Sequence, residues 1–324
     1  MTSTTYPLFR SAVPYAHEHS LQTLDICIPH PFDSIADRSD KIWLVFIHGG
    51  AWCDPKQTST EIEPALKLIL SAADNTRRKS GSQDDEGTEY ASVLSHIAGF
   101  ASINYGLSPR PEDVSDDPAR QRRHPEHLQD VIKAFDWLRR EYGVGVGVGK
   151  GMGGWEYVVM GHSCGATMLF QLAMRLIPEG GDSGFGKEIG NPMALVGLEG
   201  LYDLPLLVKN HKHIPFYRAF VESAFGGNEE FWKEVSPADG VFGYMWEDVG
   251  AIVLGMSKED ELVEWEQVEV MKHKLDVLRP DDERQFRLVE LSGSHDACWF
   301  HGVGIIKALV AVFEALFGNR IFLS

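Results

Sequence analysis

The fold of this chain is restricted above all by the pentapeptide Gly161-His162-Ser163-Cys164-Gly165, set between an apolar strand-like run and a helical pattern. A GxSxG turn in this position bends the chain sharply, so that the serine side chain projects above a sheet. Glycine is needed on both sides because strand and helix approach too closely for side chains. The sequence therefore predicts a strand, a tight turn and a helix, with Ser163 as a candidate nucleophile.

Short runs rich in β-branched and aromatic residues alternate along the chain with longer stretches of helical periodicity, as in strand-helix-strand units. Residues 21–28 alternate and end before a proline, which is typical of an antiparallel strand. Ile42–Ile47 is apolar throughout, as expected for a strand covered on both faces. Similar runs follow at 100–105, 157–160, 194–198, 251–256 and 286–291. We expect an α/β protein with about seven strands in a mainly parallel sheet.

Helical periodicity fills the stretches between these runs. From Pro125, a residue suited to the first turn of a helix, apolar residues recur at the spacing of one buried face. A second helix is predicted after Ser163 and a final one over residues 304–317. Because α/β chains of 324 residues often form one domain, we expect a single domain over residues 1–324, with helices on both faces of the sheet.

Two segments interrupt this pattern. Residues 71–89 are polar with few large apolar side chains, and residues 143–154 are rich in glycine. Both are predicted to be mobile surface loops inserted into the domain. The glycine run lacks the GxxxxGK[ST] pattern of a phosphate-binding loop, so nucleotide binding is not expected.

Charge and cysteine usage exclude several functions. A formal net charge of -17 disfavours nucleic acid and anionic membranes as partners. The N-terminus has neither the basic start nor the apolar run of a secretory signal, and no apolar run is long enough to span a bilayer, so a cytosolic location is expected. Cys27, Cys53, Cys164 and Cys298 show no CxxC pair and no metal-ligand spacing, so no disulfide framework, zinc site or other metal is expected.

A second glycine motif, HGGAW at residues 48–52, directly follows the apolar run Ile42–Ile47. With a GxSxG nucleophile, the negative oxygen of a tetrahedral intermediate is stabilised by one N–H from this region and by the N–H that follows the serine. The backbone N–H groups of Gly49 or Gly50, together with that of Cys164, are therefore candidate oxyanion donors.

The general base should come late in the chain, because proteins with a GxSxG nucleophile carry their catalytic residues in the order nucleophile, acid, histidine. His295 directly follows the last strand-like run and is the favoured candidate. His301 and His273 are weaker because they fall in helical stretches or their approaches. His162 is adjacent to the serine on a sharp turn, where neighbouring side chains point apart. For His48 a packing role is favoured over a catalytic one.

The acid that orients the histidine should follow the strand-like run 251–256, where Glu259, Asp260 and Glu261 offer three carboxylates. Asp260 is the preferred acid, and its two neighbours are interpreted as solvated surface charges. Asp203, after the preceding strand-like run, is the alternative.

With these pieces in place, the chain resembles the kynurenine formamidases of fungi, a branch of the α/β-hydrolase fold. The matching motifs are HGGAW with the following Asp54-Pro55 pair, NYGLSP at 104–109, GHSCGA at 161–166, EGLYD at 199–203, and the loops of Asp260 and His295. Relative to the compact form of that family, residues 71–89 and 143–154 resemble insertions.

The resemblance implies hydrolysis of N-formyl-L-kynurenine to L-kynurenine and formate, on the tryptophan route to NAD. It also implies that Ser163, Asp260 and His295 form the catalytic triad, that no cofactor or metal is required, and that the protein is a homodimer.

The substrate pocket is less defined by the sequence. Trp52 is interpreted either as a pocket wall or as a core aromatic residue, Tyr105 is a second pocket candidate, and Arg110 or Tyr105 could bind the substrate carboxylate. A short-chain carboxylesterase with the same triad is the alternative enzyme. A catalytically silent receptor would lack the histidine at position 295, and an interaction protein finds support only in the polar segment 71–89.

Overall fold

The computed structural model describes residues 5–35, 37–78, 85–110, 115–146, 153–174, 190–242, 249–278 and 286–318. Within these residues the chain forms one sheet of eight strands. In chain order they are β1 (Leu8–Pro14), β2 (Thr23–Ile28), β3 (Ile42–Ile47), β4 (Ile97–Ile103), β5 (Glu156–His162), β6 (Ala194–Leu198), β7 (Ala251–Ser257) and β8 (Phe286–Leu291). Across the sheet they lie in the order β1-β2-β4-β3-β5-β6-β7-β8.

The sheet is parallel from β4 to β8, and β1 and β2 are added to it in antiparallel pairings. Strand β3 pairs with β4 on one side and β5 on the other, and all six of its residues are buried. This explains why its sequence is apolar without alternation. Strand β1 was not predicted, because it is a mostly exposed edge strand without an apolar periodicity.

Ten α-helices are described. They are α1 (Glu63–Arg78), α2 (Asp85–Ser95), α3 (Glu126–Tyr142), α4 (Cys164–Ala173), α5 (Leu204–Asn210), α6 (Pro215–Phe225), α7 (Glu229–Val235), α8 (Glu266–Leu278), α9 (Ala297–Phe300) and α10 (Val303–Phe317). Short 3-10 helices occupy Phe32–Ser34, Ser59–Ile62 and Pro118–Arg120. Among the described helices, none combines the length and the apolar character that crossing a bilayer requires.

Helices cover both faces of the sheet, as predicted. On β3, Trp43, Val45 and Ile47 face a core cluster that includes buried residues of α3, α4 and α8. The alternate residues of the same strand face a second cluster, which includes buried residues of α1, α2 and α10. The side chains of a strand point alternately to its two faces, so one six-residue strand contributes to both cores.

The interpretation of residues 71–89 as a loop is wrong for most of the segment. Residues 71–78 continue α1 and residues 85–89 begin α2, while residues 79–84 lie outside the described part of the chain. Helix α1 buries a stripe of apolar residues that includes Leu66 and Ile69. Packing of this stripe stabilises the helix, and a formed helix extends through alanine and arginine at little cost, even where the sequence turns polar.

The glycine segment 143–154 is ordered at its ends. Gly143 ends α3 in the left-handed conformation, at φ 73°, and its N–H donates to the carbonyl of Arg139. Val144 then forms a bridge with Trp155. These contacts make the start of the segment a helix cap, and residues 147–152 lie outside the described part of the chain.

Helices α5, α6 and α7 lie between β6 and β7 in the chain, where the sequence analysis placed no element. Residues of α6 and of the segment leading into it line the cavity described below. Helix α6 therefore lies beside the carboxyl ends of the parallel strands, α5 contacts both α6 and α7, and we call the three the cap helices.

Candidate active site

Ser163 lies on the turn between β5 and α4, with φ 53° and ψ −122°. This backbone conformation is rare for a residue with a side chain and costs free energy. The flanking glycines permit it: a Cβ at Gly161 would collide with the carbonyl of Gly165, and a Cβ at Gly165 would collide with the carbonyl of Ile47. The pentapeptide therefore forms the predicted sharp turn.

His295 and Asp260 meet at the carboxyl ends of β7 and β8. The Nδ1 atom of His295 lies 2.7 Å from Oδ2 of Asp260. The other carboxylate oxygen of Asp260 accepts the backbone N–H groups of Leu262 and Val263, each at 2.8 Å. Burial raises the pKa of Asp260, but the hydrogen bond from His295 and the two backbone donors outweigh it, so this pKa lies below its ordinary value. Asp260 is thus an ionised acceptor that fixes the orientation of the imidazole.

The carboxylates beside Asp260 are exposed, as expected from the sequence, and each also holds the neighbouring loop. Glu259 Oε2 accepts the N–H of Gly293 at 2.8 Å, and Glu261 Oε2 accepts the N–H of His295 at 3.1 Å. All three acidic residues hold the loop that carries His295, and we call them the acidic clamp.

Ser163 and His295 line the same cavity and are nearly buried, at 6% and 4% exposure. The Ser163 hydroxyl makes no hydrogen bond to His295 or to any other residue in the described ranges. Catalytic hydrogen bonds are often long without substrate and tighten when it binds. The geometry therefore brings the two residues into one cavity without joining them directly.

The candidate oxyanion donors fall into two groups. The Gly49 N–H donates to the carboxylate of buried Glu61, at 3.2 and 3.3 Å to its two oxygens. The prediction that Gly49 is an oxyanion donor is therefore wrong, because its N–H already has an acceptor. Gly49 lies close to the serine instead, since a Cβ at this position would lie 3.2 Å from the Ser163 Cβ. The N–H groups of Gly50 and Cys164 have no acceptor among the described residues, so these two remain the candidate donors.

Glu61 was missed by the sequence analysis. It is 1% exposed, and its Oε2 lies 3.3 Å from Nδ1 of His162. The His162 Nε2 in turn lies 3.2 Å from the carbonyl oxygen of His295. Burial lowers the pKa of His162, but Cys298 and Glu61 act in the opposite direction and set it above its ordinary value. Glu61 and His162 thus connect the HGGAW loop to the His295 loop, and no local motif signals this.

The cavity has a volume of about 300 Å³. Its polar lining comprises Asp54, Gln57, Arg110 and Glu261 beside Ser163 and His295, and its apolar lining includes Leu201, Ile214, Phe216, Tyr217, Phe220, Leu262 and Val263. Arg110 Nη1 lies 3.7 Å from Asp54 Oδ1, and both side chains are about one-third exposed. The cavity therefore combines an aromatic wall with one guanidinium, beside the serine and the histidine.

Trp52 and Tyr105 do not line this cavity, in contrast to the pocket roles considered above. Trp52 is fully buried and packs edge-on against Phe225. The Tyr105 hydroxyl donates to the carbonyl of Gly49 at 2.9 Å, and its ring stacks on His48 at 4.3 Å. The Tyr105 hydroxyl therefore anchors the backbone of the HGGAW loop, and Trp52 is a core aromatic residue, the second of its two interpretations.

The remaining candidates lie elsewhere. Asp203 begins α5, and its Oδ1 accepts the Leu206 N–H at 2.8 Å. Its carboxylate therefore caps a helix. His273 is an exposed residue of α8, and His301 is an exposed residue that ends α9.

One group of side chains in the described ranges could in principle hold a metal ion, since the donor atoms of His162, His295 and Asp296 lie within 4.8 Å of one another. His295 Nδ1 faces Asp260, and His162 Nε2 faces the carbonyl oxygen of His295. His162 Nδ1 lies 3.3 Å from Glu61 Oε2 but makes no hydrogen bond to a described residue. Two of the imidazole nitrogens in this group are therefore engaged by oxygen atoms of the protein.

Comparison with known proteins places this site in a family. No protein-family model matches the chain. The chain is 33% identical over 311 residues to the kynurenine formamidase-like hydrolase fscH of Fusarium equiseti, covering 92% of each protein. It is 32% identical over 313 residues to kynurenine formamidase avaC of Aspergillus versicolor, covering 90% of this chain and 96% of that one.

The chain belongs to the kynurenine formamidase family. The chain is also 30% identical over 240 residues to the kynurenine formamidase of Meyerozyma guilliermondii, and this alignment covers 72% of this chain and 71% of that one.

Solved structures support the fold of this kynurenine formamidase relative. Esterase B of Lactobacillus rhamnosis matches with a TM-score of 0.58 at 12% identity, covering 96% of this chain and 89% of that one. The esterase Est2 of Thermogutta terrifontis matches with a TM-score of 0.56 at 16% identity, covering 94% and 92%. The predicted α/β-hydrolase fold is confirmed.

Proposed function

We propose that this protein hydrolyses N-formyl-L-kynurenine to L-kynurenine and formate, with Ser163, His295 and Asp260 as its triad. The observation that carries the proposal is the 2.7 Å contact between His295 and Asp260 at a cavity that Ser163 also lines, in a member of this family. The pathway role expected from the sequence, on the tryptophan route to NAD, and the cytosolic location belong to the same proposal.

The first half of the reaction transfers the formyl group to the enzyme. Ser163 Oγ attacks the formyl carbon while His295 takes its proton. The negative oxygen that forms is stabilised by the N–H groups of Gly50 and Cys164, which face no other described acceptor. His295 then gives its proton to the departing aniline nitrogen, and L-kynurenine leaves.

The second half removes the formyl group. Water enters, His295 takes its proton, and the resulting hydroxide attacks the formyl-serine carbonyl. Collapse of this second tetrahedral intermediate returns the proton from His295 to Ser163 Oγ and releases formate. The formyl group is small, so the space beside Gly50 and Ser163 needs to hold only one carbon and one oxygen.

The cavity chemistry matches the rest of this substrate. An aromatic ring fits the wall formed in part by Phe216, Tyr217 and Phe220, and Arg110 is a cation that could bind the amino-acid carboxylate. Asp54 and Glu261 offer negative charge to the ammonium group. Of the two residues that the sequence offered for binding the substrate carboxylate, Arg110 is therefore assigned this role, and Tyr105 lies outside the cavity.

A short-chain carboxylesterase is the second candidate, because the same triad cleaves esters and most of the cavity wall is apolar. The deciding experiment measures the release of L-kynurenine from N-formyl-L-kynurenine by the purified protein, beside the hydrolysis of p-nitrophenyl acetate. Rapid release at micromolar substrate supports the formamidase. Cleavage of the ester without cleavage of the formamide would move the substrate to the esterase.

The same assay tests the nucleophile. Ser163→Ala should lower kcat by about 10⁴- to 10⁶-fold and leave the thermal unfolding midpoint close to that of the wild type. Ser39→Ala, at an exposed serine outside the cavity lining, is the matched control and should retain full activity. Activity of Ser163→Ala near that of the control would contradict the assignment.

A further inference from the structure

Glu199 is a fully buried carboxyl group that the mechanism above does not use. It directly follows β6, is 0% exposed, and holds a left-handed backbone conformation with φ 49°. Its two carboxyl oxygens lie 3.2 and 3.1 Å from a single donor, the N–H of Ser257 at the end of β7. A residue with a side chain in this conformation and this environment carries two costs, strain and desolvation, so its contacts need an explanation.

Within the described residues, the Glu199 carboxyl group is also placed as a hydrogen-bonding partner of the Asp260 carboxyl group, which lies in the loop that follows Ser257. Two carboxyl groups can be hydrogen-bonded only if one of them carries a proton. Asp260 already accepts three donors, the His295 ring N–H and the N–H groups of Leu262 and Val263. Among the described residues, the Glu199 side chain accepts only the Ser257 N–H. The negative charge is therefore more stable on Asp260, and the shared proton belongs to Glu199.

The groups around Glu199 agree with this distribution of charge. Burial and the charge of Asp260 raise the pKa of Glu199 to about 9, while the Ser257 N–H and the charge of His162 lower it. Tyr202 and Cys298 also face Glu199, and burial raises the pKa of each, which keeps both neutral.

We propose that Glu199 is a neutral carboxylic acid that donates a hydrogen bond to Asp260 and thereby positions the acid of the triad. The proposal rests on the proposed function insofar as Asp260 and His295 are the catalytic pair. Glu199 is a positioning residue, since it acts on the substrate only through Asp260 and His295. Its proton completes the set of four donors that hold the Asp260 carboxylate.

Ionisation of Glu199 would disrupt this arrangement. At alkaline pH the proton is lost, and two negative carboxylates then share one buried site. Asp260 would be displaced from His295 or would take up a proton itself, and in either case the imidazole loses its orienting partner. Activity should therefore fall along an alkaline limb that reports the ionisation of Glu199.

The test compares Glu199→Gln with the wild type in pH profiles of kcat, using whichever of N-formyl-L-kynurenine and p-nitrophenyl acetate is turned over. Glutamine keeps a donor for Asp260 and an acceptor for the Ser257 N–H but cannot ionise. The variant should retain at least about one-third of wild-type kcat at pH 7, and its alkaline limb should move up by about one pH unit or more. Glu199→Ala, which loses the donor, should lower kcat by about 10- to 100-fold at pH 7.

A stability measurement gives a readout independent of turnover. The raised pKa means that the folded state binds a proton that the unfolded state has lost between roughly pH 4.5 and 9. The stability of the wild type therefore falls as pH rises through this window. The urea midpoint of Glu199→Gln should exceed that of the wild type, and the difference between the two midpoints should increase with pH. Glu234→Gln, at an exposed glutamate of α7, should follow the wild type.

Infrared spectroscopy of the wild type covers the case in which the variants fail to fold. A band of a protonated carboxylic acid should persist at pH 7 and disappear near pH 9. The absence of this band at pH 7, or an unchanged alkaline limb in folded Glu199→Gln, would overturn the proposal. A protein that shows the band but cleaves neither substrate would contradict the proposed function alone.

Discussion

Backbone strain in this protein is concentrated around the cavity. Within the described residues, five non-glycine positions have positive φ, and four of them, Ala51, Trp52, Ser163 and Glu199, follow the carboxyl ends of β3, β5 and β6. Strain of this kind persists only where the surrounding structure enforces it, and it is common at functional sites. The GxSxG motif predicted the sharp turn at Ser163. Nothing local predicted the conformation of Glu199, because its role depends on a contact across two neighbouring strands.

The residues of the site differ in how far sequence could predict them. Asp260 and His295 were predicted from their positions after strand-like runs, and the structure brings them together. Buried Glu61 and Glu199 could not be predicted in this way. A carboxylate is ordinarily exposed, and only the tertiary structure supplies the partners that permit its burial.

The cavity lining leads to a prediction for Arg110. If its guanidinium binds the substrate carboxylate, Arg110→Gln removes a charge-assisted hydrogen bond worth about 1.5–3 kcal/mol. The KM for N-formyl-L-kynurenine should then rise by roughly 10- to 100-fold with a smaller change in kcat. Hydrolysis of p-nitrophenyl acetate, which has no carboxylate, should be unaffected. Arg123→Gln, at an exposed arginine outside the lining, controls for surface charge, and an equal loss in both variants would argue against the role.

At the scale of elements, the predicted spans of β3, β6 and β8 match those in the structure. Strands β3 and β6 have a neighbour on each side and are buried throughout, which imposes an apolar pattern on them, whereas β8 is an edge strand that alternates only in part. The cap helices α5 to α7 were missed. Each is 11 residues or shorter, and helices α5 and α7 have only seven, too few to establish a clear helical periodicity.

Helix capping provides a prediction that separates the two candidate acids. Asp203→Ala should cost about 1 kcal/mol of stability, because Asp203 caps α5, and should leave kcat unchanged. Asn228→Ala removes the corresponding cap of α7 and is the matched control. Urea unfolding and the kynurenine assay measure the two quantities. A fall in kcat by three orders of magnitude for Asp203→Ala alone would transfer the acid role from Asp260 to Asp203.

At the scale of the whole molecule, the site follows from the topology. Residues of the site come from loops after β3, β5, β6, β7 and β8, which are parallel, so their carboxyl ends meet at one edge of the sheet. This position is the general one for ligands in open α/β sheets, and sequence reasoning can reach it once the strands are assigned. The organisation of residues 1–324 as a single domain stays a prediction.

The homodimer implied by the family resemblance also stays a prediction. Size-exclusion chromatography with light scattering should give a mass of twice the 36.1 kDa of the chain. Self-repulsion from the net charge of -17 opposes association, so the dimer should be favoured by moderate salt. A mass equal to one chain at every salt and protein concentration would exclude it.

The position of β8 has a consequence for how the protein would lose activity. Strand β8 pairs with β7 alone, and two of its six residues are buried, yet it leads directly into the loop of His295. An edge strand with few buried residues can detach in a local opening of the structure, whose free energy is lower than that of complete unfolding. His295, the proposed general base, would then be released while the rest of the sheet stays folded. The working lifetime of the protein would then depend on how readily this edge strand detaches, which is opposed by its backbone pairing with β7 and by the acidic clamp on the His295 loop.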